Sequence, residues 1–186
     1  MIENWWPTQI GYYDNPNHVD ISSHCLDLKS KVESGGAGWV SNDTYNTSDQ
    51  KYEIVGKPEF QGINDFVFSC VHDYMNKTQM RFEYSNVYGW FNVYEQGDYQ
   101  EFHDHTPGII SCVYFMNESE STLCFRSNFK DQQHIQYEEI FNNTNSILKY
   151  KTIPGRCIVF RSYLPHCVDK HKSDTPRITL AYNFYS

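Results

Sequence analysis

Apolar and polar positions change rhythm along this chain, and the change separates an N-terminal helical part from a C-terminal β part. The opening WWPTQIGYY, Trp5 to Tyr13, is apolar but broken by Pro7 and Gly11, as in an edge strand that packs aromatics on a sheet. From Ile21 to Val32, the residues Ile21, Cys25, Leu28 and Val32 fall at spacings of four, three and four. That predicts a short amphipathic helix with Asp20 as N-cap and Gly35-Gly36 as its stop. Phe60, Ile63, Phe66, Val67, Cys70, Val71 and Tyr74 form one stripe of a second helix, Phe60 to Met75, lying on a sheet. Between the two, Ser34 to Gln50 is polar and rich in glycine, and reads as a long surface loop that lines or covers a pocket, with Trp39 as packing anchor or substrate contact.

After Lys77 the period falls to two. MRFEYSNVYGWFNVYEQGDYQEFHDH predicts two or three strands with a turn at Gln96-Gly97-Asp98. Gly108 to Met116 is apolar enough for the middle of a sheet, Asn117 to Ser121 makes a turn, and Phe125 to Leu148 holds weaker strands and a polar loop. A Pro-Gly turn leads into the buried strand CIVF, and Ser162 to His166 turns a corner. The charged loop DKHKSDTP then precedes a last strand, RITLAYNFY. Two helices and about eight strands, without repeat or linker, imply one domain spanning 1–186, in which a segment of about 1–77 braces a β core of about 78–186. The fold class expected is mainly β with flanking helices, an antiparallel sandwich or jelly roll.

Composition narrows the function. Aromatics at 17% favour sheet, because ring side chains pack well on pleated surfaces. A net charge of −8 argues against a general nucleic-acid or anionic-membrane binder, since both need a basic face. No run reaches the length of a membrane span, and the start lacks a basic region followed by an apolar core, so a soluble, cytoplasmic chain is expected. Six scattered cysteines without a CxxC pair read as buried free thiols.

The stretch QEFHDHTPGIISCVYF carries the chemistry. In an extended strand His103 and His105 share a face, while Asp104 looks the other way. His166, ending a second β run, is the natural third imidazole, and Arg177 follows eleven residues later on the next strand. Inward positions alternate along every strand of a double-stranded barrel, so residues from distant strands can converge in its mouth. Three other histidines read otherwise: His72 as a helix-surface residue, His134 and His171 as exposed loop residues.

The series WFNVYEQGDYQEFHDHTPGIISCVYFM, IPGRCIVFRSYLPHCV and RITLAYNF resembles the 2-oxoglutarate- and Fe(II)-dependent oxygenases of the double-stranded β-helix (jelly-roll, cupin-like) fold, especially a small bacterial and marine-phage group. The resemblance implies iron held by an H-x-D/E pair and a distal histidine, with a basic residue after that histidine gripping 2-oxoglutarate. Carried onto this chain, His103 and His166 are ligands, Arg177 anchors the co-substrate, and Thr179 completes an R-x-S/T pattern. His105 stands where the family usually has a carboxylate, with Asp104 and then Glu101 as the alternative third ligand. Tyr94, Tyr99 and Asn92 are further candidates for bonding 2-oxoglutarate. The implied activity is a dioxygenase, hydroxylating an unidentified substrate with oxidative decarboxylation of 2-oxoglutarate to succinate, in the host cytoplasm if phage-encoded. Two alternatives stand beside it: a cupin-like three-His metalloenzyme without co-substrate, and a non-catalytic β-sandwich that binds a partner.

Overall fold

A computed structural model describes residues 8–36, 44–126 and 147–186. Trp39 and His134 lie outside the described residues.

The larger of two antiparallel sheets has six strands: β1 (Ile10–Asp14), β2 (Tyr45–Asn46), β3 (Asn86–Tyr94), β5 (Ile110–Phe115), β8 (Arg156–Arg161) and β10 (Arg177–Tyr185), in the order β1-β8-β5-β10-β3-β2. The smaller sheet runs β4-β9-β6-β7, from β4 (Gln100–His103), β6 (Ser119–Arg126), β7 (Ile147–Thr152) and β9 (His166–Val168). Helices α1 (Ser22–Lys29) and α2 (Gln61–Lys77), the latter entered through a 3₁₀ turn at Pro58–Phe60, cover the outer face of the larger sheet. No helix among the described residues is long and apolar enough to cross a membrane.

Strand alternation sorts side chains into two layers. On β10, Ile178, Leu180, Tyr182 and Phe184 join Val67, Cys70, Val71 and Tyr74 of α2 in one core. The intervening Arg177, Thr179, Ala181 and Asn183 therefore face the smaller sheet, as do Trp90, Asn92 and Tyr94 of β3. A second core, with Phe115, Leu123, Phe125, Ile158, Phe160, Leu164 and Val168, fills the space between the sheets. Five of the six cysteines are buried and all are free; Cys167 is half-buried.

Several expectations need correction. The first helix spans only Ser22–Lys29 with Ile21 at its N-cap; the Asp20 carboxylate accepts the Ser22 N–H instead of capping a later turn. The stretch from Ser34 to Gln50 is not surface loop throughout. Thr44 to Thr47 are buried and β2 pairs with Val93 and Asn92, because Asn46 and Thr47 find partners for their polar groups inside. The segment from Met80, by contrast, meets its expectation, with two strands and a turn at Gly97, where φ is +100°, that passes the chain from one sheet to the other. Ser119 to Ser121 already belong to β6, leaving Asn117 and Glu118 for the turn.

His171 is buried, not exposed, at 1% accessibility. Its Nε2–H donates to the Thr175 carbonyl at 2.8 Å, the Ser121 hydroxyl reaches its Nδ1 at 3.1 Å, and its backbone pairs with Gly97 and Asp98. The lysines and aspartate around it point outward while its own ring plugs the loop, which composition could not show.

Candidate active site

β4 and β9 bring His103 directly opposite His166, with an irregularity in the pairing between Gln100 and His103. β4 ends at His103, so His105 does not arrive by strand periodicity. It sits at the start of a turn whose backbone is pinned twice: the His105 N–H donates to the Ser162 carbonyl at 2.9 Å, and the His105 carbonyl accepts the Gly108 N–H at 2.7 Å. A Cβ at Gly108 would stand 2.8 Å from the His105 oxygen, so the turn requires glycine there.

The three imidazoles converge. Their ligand nitrogens lie within 4.8 Å of one another, and the ring centroids are 4.2 Å (His103–His166), 4.9 Å (His103–His105) and 5.0 Å (His105–His166) apart. His103 Nδ1–H donates to the Glu101 carbonyl at 2.8 Å, and His166 Nδ1–H to the Leu164 carbonyl at 2.9 Å. A carbonyl can only accept, so each bond fixes the neutral tautomer in which Nε2 carries the lone pair. Burial lowers all three pKa values: that of His105 to about 3, with His103 adding repulsion, and that of His166 well below the usual range. The rings are therefore neutral at pH 7, the state that ligates a metal. Phe125 and Phe160 pack against His166, with ring centroids 5.9 and 4.8 Å away.

Asp104 takes no part in this convergence. It is exposed, and its Oδ1 accepts the N–H and hydroxyl of Thr106 at 2.9 and 2.6 Å. Those hydrogen bonds, helped by the two histidines, hold its carboxyl below the ordinary range.

A narrow cavity between the sheets joins the histidines to Arg177. Arg177 is 1% exposed, its Nε donates to Thr152 Oγ1 at 3.3 Å, and neither terminal nitrogen has a hydrogen-bond partner among the described residues. The Tyr94 ring lies under the guanidinium, 4.8 Å from centroid to Cζ, and Phe115 stands 5.6 Å away. Burial draws the Arg177 pKa down, with Tyr94 opposing. A buried guanidinium without a counter-charge costs several kcal/mol, roughly, unless a ligand anion completes it. The donor set and this orphaned cation fit a metal ion beside a carboxylate.

Of the other residues singled out in the sequence, Asn92 donates to Thr179 Oγ1 at 3.2 Å and both line the cavity, as does Tyr94, whose hydroxyl donates to Gln100 Oε1 at 3.1 Å. Tyr99 does not line it; its carbonyl accepts the Thr44 hydroxyl. Sequence reasoning missed Trp90, Gln100, Val113 and Leu123, which also line it. Trp90 could have been found, since it lies two residues from Asn92 on the same strand, whereas Gln100 follows a turn into the other sheet, across which strand parity does not carry.

Two facing sheets of this topology, with imidazoles on the smaller and a buried arginine on the last strand of the larger, define the double-stranded β-helix. Residues 88–183, more than half the chain, match the family described as "Putative 2OG-Fe(II) oxygenase". The chain belongs to that family, whose members use Fe(II) and 2-oxoglutarate. Solved structures agree on the fold. A prolyl-4-hydroxylase from Pseudomonas putida shares 12% identity and a TM-score of 0.66, over 96% of this chain and 92% of that one. A prolyl hydroxylase from Trichoplax adhaerens, in complex with a hypoxia inducible factor oxygen degradation domain peptide, shares 15% identity and a TM-score of 0.66, over 95% and 83%. HygX from Streptomyces hygroscopicus, with nickel and 2-oxoglutarate bound, shares 10% identity and a TM-score of 0.58, over 96% and 83%. No curated protein matches the sequence.

Proposed function

We propose that His103, His105 and His166 hold the Fe(II) of this oxygenase, and that Arg177, with Thr179, Tyr94 and Asn92 around it, holds 2-oxoglutarate. The observation that carries the reading is Arg177: a fully buried guanidinium whose terminal nitrogens find no partner among the described residues, in one cavity with three neutral imidazoles.

Bound together, Fe(II), 2-oxoglutarate and dioxygen supply the oxidation, one oxygen atom ending in succinate, released with carbon dioxide, and the other in the hydroxylated substrate. The chain positions and shields. The Nδ1–H bonds to Glu101 and Leu164 hold two rings in the tautomer and orientation for ligation. Arg177 can grip the distal carboxylate through two parallel charge-assisted bonds, and Tyr94 and Phe115 keep water from competing for it. Val113, Leu123 and Val168 close the remaining sides with apolar groups.

The whole chain acts in this reading as one domain, the N-terminal helices serving to brace the larger sheet. A cytoplasmic setting, inside the host if the chain is phage-encoded, fits the buried free thiols. A three-His metalloenzyme without co-substrate would leave Arg177 buried and unpaired, and a non-catalytic sandwich would leave both groups without purpose.

The test is an anaerobic titration of the Fe(II)-loaded chain with 2-oxoglutarate. A visible charge-transfer band from the chelated oxo-acid is expected, absent in Arg177→Ala at the same concentration. Saturating 2-oxoglutarate without a band in the parent chain would overturn the assignment.

A further inference from the structure

A second cavity, of about 480 Å³, lies across the wall that Trp90, Asn92, Gln100 and His105 present to the co-substrate cavity. Arg177 does not reach it, and its chemistry differs. The charged residues of its lining, Asp49 and Glu53, are both acidic, and among the described residues no lysine or arginine lines it. Gly36 and the run from Asn46 to Gln50 supply one side, and none of them is lysine or arginine. Backbone groups hold both acids in place: Glu53 Oε1 accepts the N–H of Gly89 at 2.8 Å and of Val55 at 2.9 Å, and Asp49 Oδ2 accepts the N–H of Gly36 at 2.8 Å. The second oxygen of each receives no hydrogen bond from the described residues. The rings of Tyr88, Trp90 and Tyr185 line the same cavity, with Tyr88 and Tyr185 set edge to face at 5.6 Å.

Carboxylates and aromatic rings that line one cavity attract a cation twice, by charge and by the ring quadrupole. An anion would be desolvated against two like charges, and a neutral guest would gain nothing from them. Trp90 also stacks edge-on to His105, with ring centroids 5.8 Å apart, so a molecule seated against this wall lies beside the histidine cluster. The geometry points to this cavity as the seat of the oxidised substrate, and to a substrate bearing a protonated amine or guanidinium group. The inference rests on His105 belonging to the metal site as proposed above. A free alkylamine and a lysine or arginine side chain on a peptide share this chemistry.

Calorimetric titration of the whole chain tests it, under nitrogen, with and without Fe(II) and 2-oxoglutarate. The probes are 1,5-diaminopentane, N-acetyl-lysine methylamide, its uncharged norleucine counterpart and N-acetylglutamate methylamide. The cations are expected to bind at least about ten-fold more tightly than the neutral and anionic probes, a difference of roughly 1.4 kcal/mol. The tighter of the diamine and the lysine amide tells which source is the better match. The double variant Asp49→Asn, Glu53→Gln keeps a side-chain oxygen to accept each backbone N–H, and asparagine suits the positive φ of 57° at position 49. It should lose that preference while 2-oxoglutarate still titrates as in the parent. Equal affinity across charge, a preference for the anion, an unchanged preference in the double variant, or no cation binding at about 10 mM would each overturn the inference. Failure of 2-oxoglutarate to bind the parent chain would instead strike the co-substrate assignment, because cation binding is read separately on the chain without Fe(II).

Discussion

His103 stands opposite His166 in the pairing of β4 with β9, and their ring centroids are 4.2 Å apart. Each ring is tied through Nδ1 to a carbonyl two residues back, that of Glu101 within β4 and that of Leu164 just before β9. Register, not loop conformation, therefore sets the distance between them, and a site built on strands holds its geometry better than one built on loops.

With Fe(II) held by the three imidazoles as proposed, removing either ring leaves two protein ligands. His103→Ala and His166→Ala should each weaken Fe(II) binding by more than about 100-fold, since even changes in outer hydrogen-bond partners cost 10- to 100-fold. His72→Ala, on the exposed side of α2 where the ring meets the Tyr84 hydroxyl, should keep full iron. Metal content after anaerobic reconstitution decides; full iron in both site variants would mean the ion sits elsewhere.

Arg177→Lys and Arg177→Ala should leave iron in place and weaken 2-oxoglutarate, the lysine less than the alanine, because an ammonium keeps the charge and loses the two-pronged grip. For alanine a loss of about 30-fold or more is expected, from charged hydrogen bonds of roughly 2–3 kcal/mol. The cofactor-free Arg177→Ala protein should not be less stable to urea, since a buried unpaired cation is removed. Equal 2-oxoglutarate affinity in parent and alanine variant would take the arginine out of the site.

Position 105 discriminates between ligands. His105→Ala should lose metal and Asp104→Ala should retain it, because the Asp104 carboxylate is committed to Thr106. His105→Asp restores the commoner H-x-D pattern and should keep iron. Loss of metal in Asp104→Ala, read by metal analysis, would reverse the assignment.

A further substitution tests the scaffold. The buried Tyr182 hydroxyl donates to Asn64 Oδ1 at 2.8 Å, and Asn64 Nδ2 donates to the Ile54 carbonyl at 3.0 Å, joining β10 to α2. Tyr182→Phe strands the Asn64 oxygen in the core and should cost about 1–3 kcal/mol of stability. Urea denaturation measures it, and an unchanged midpoint would show that water replaces the hydroxyl.

The strands carrying the site were legible because burial on both faces leaves a continuous apolar run, as in Ile110 to Phe115 and Arg177 to Tyr185. Spacing also singled out the three histidines and Arg177, but the route of His105 was hidden. It depends on a hydrogen bond to Ser162, far along the chain, and on a turn that only Gly108 permits. The buried Thr44 to Thr47 and His171 were misjudged for a related reason: a polar residue looks exposed until its partners are known, and here they lie dozens of residues away, on β3 and β6. The acidic, aromatic-walled cavity draws on residues from 36 to 185, a convergence no local pattern announces.

The wall shared by the two cavities has a thermodynamic corollary. Trp90, Asn92, Gln100 and His105 touch whatever occupies either side, so one set of rotamers must satisfy both guests. If filling one compartment tightens the other by some factor, the reverse filling must do so by the same factor, whatever the order of addition. Affinities measured for either guest alone would then understate the ternary complex, and a substitution at Trp90 should shift both binding constants together instead of one.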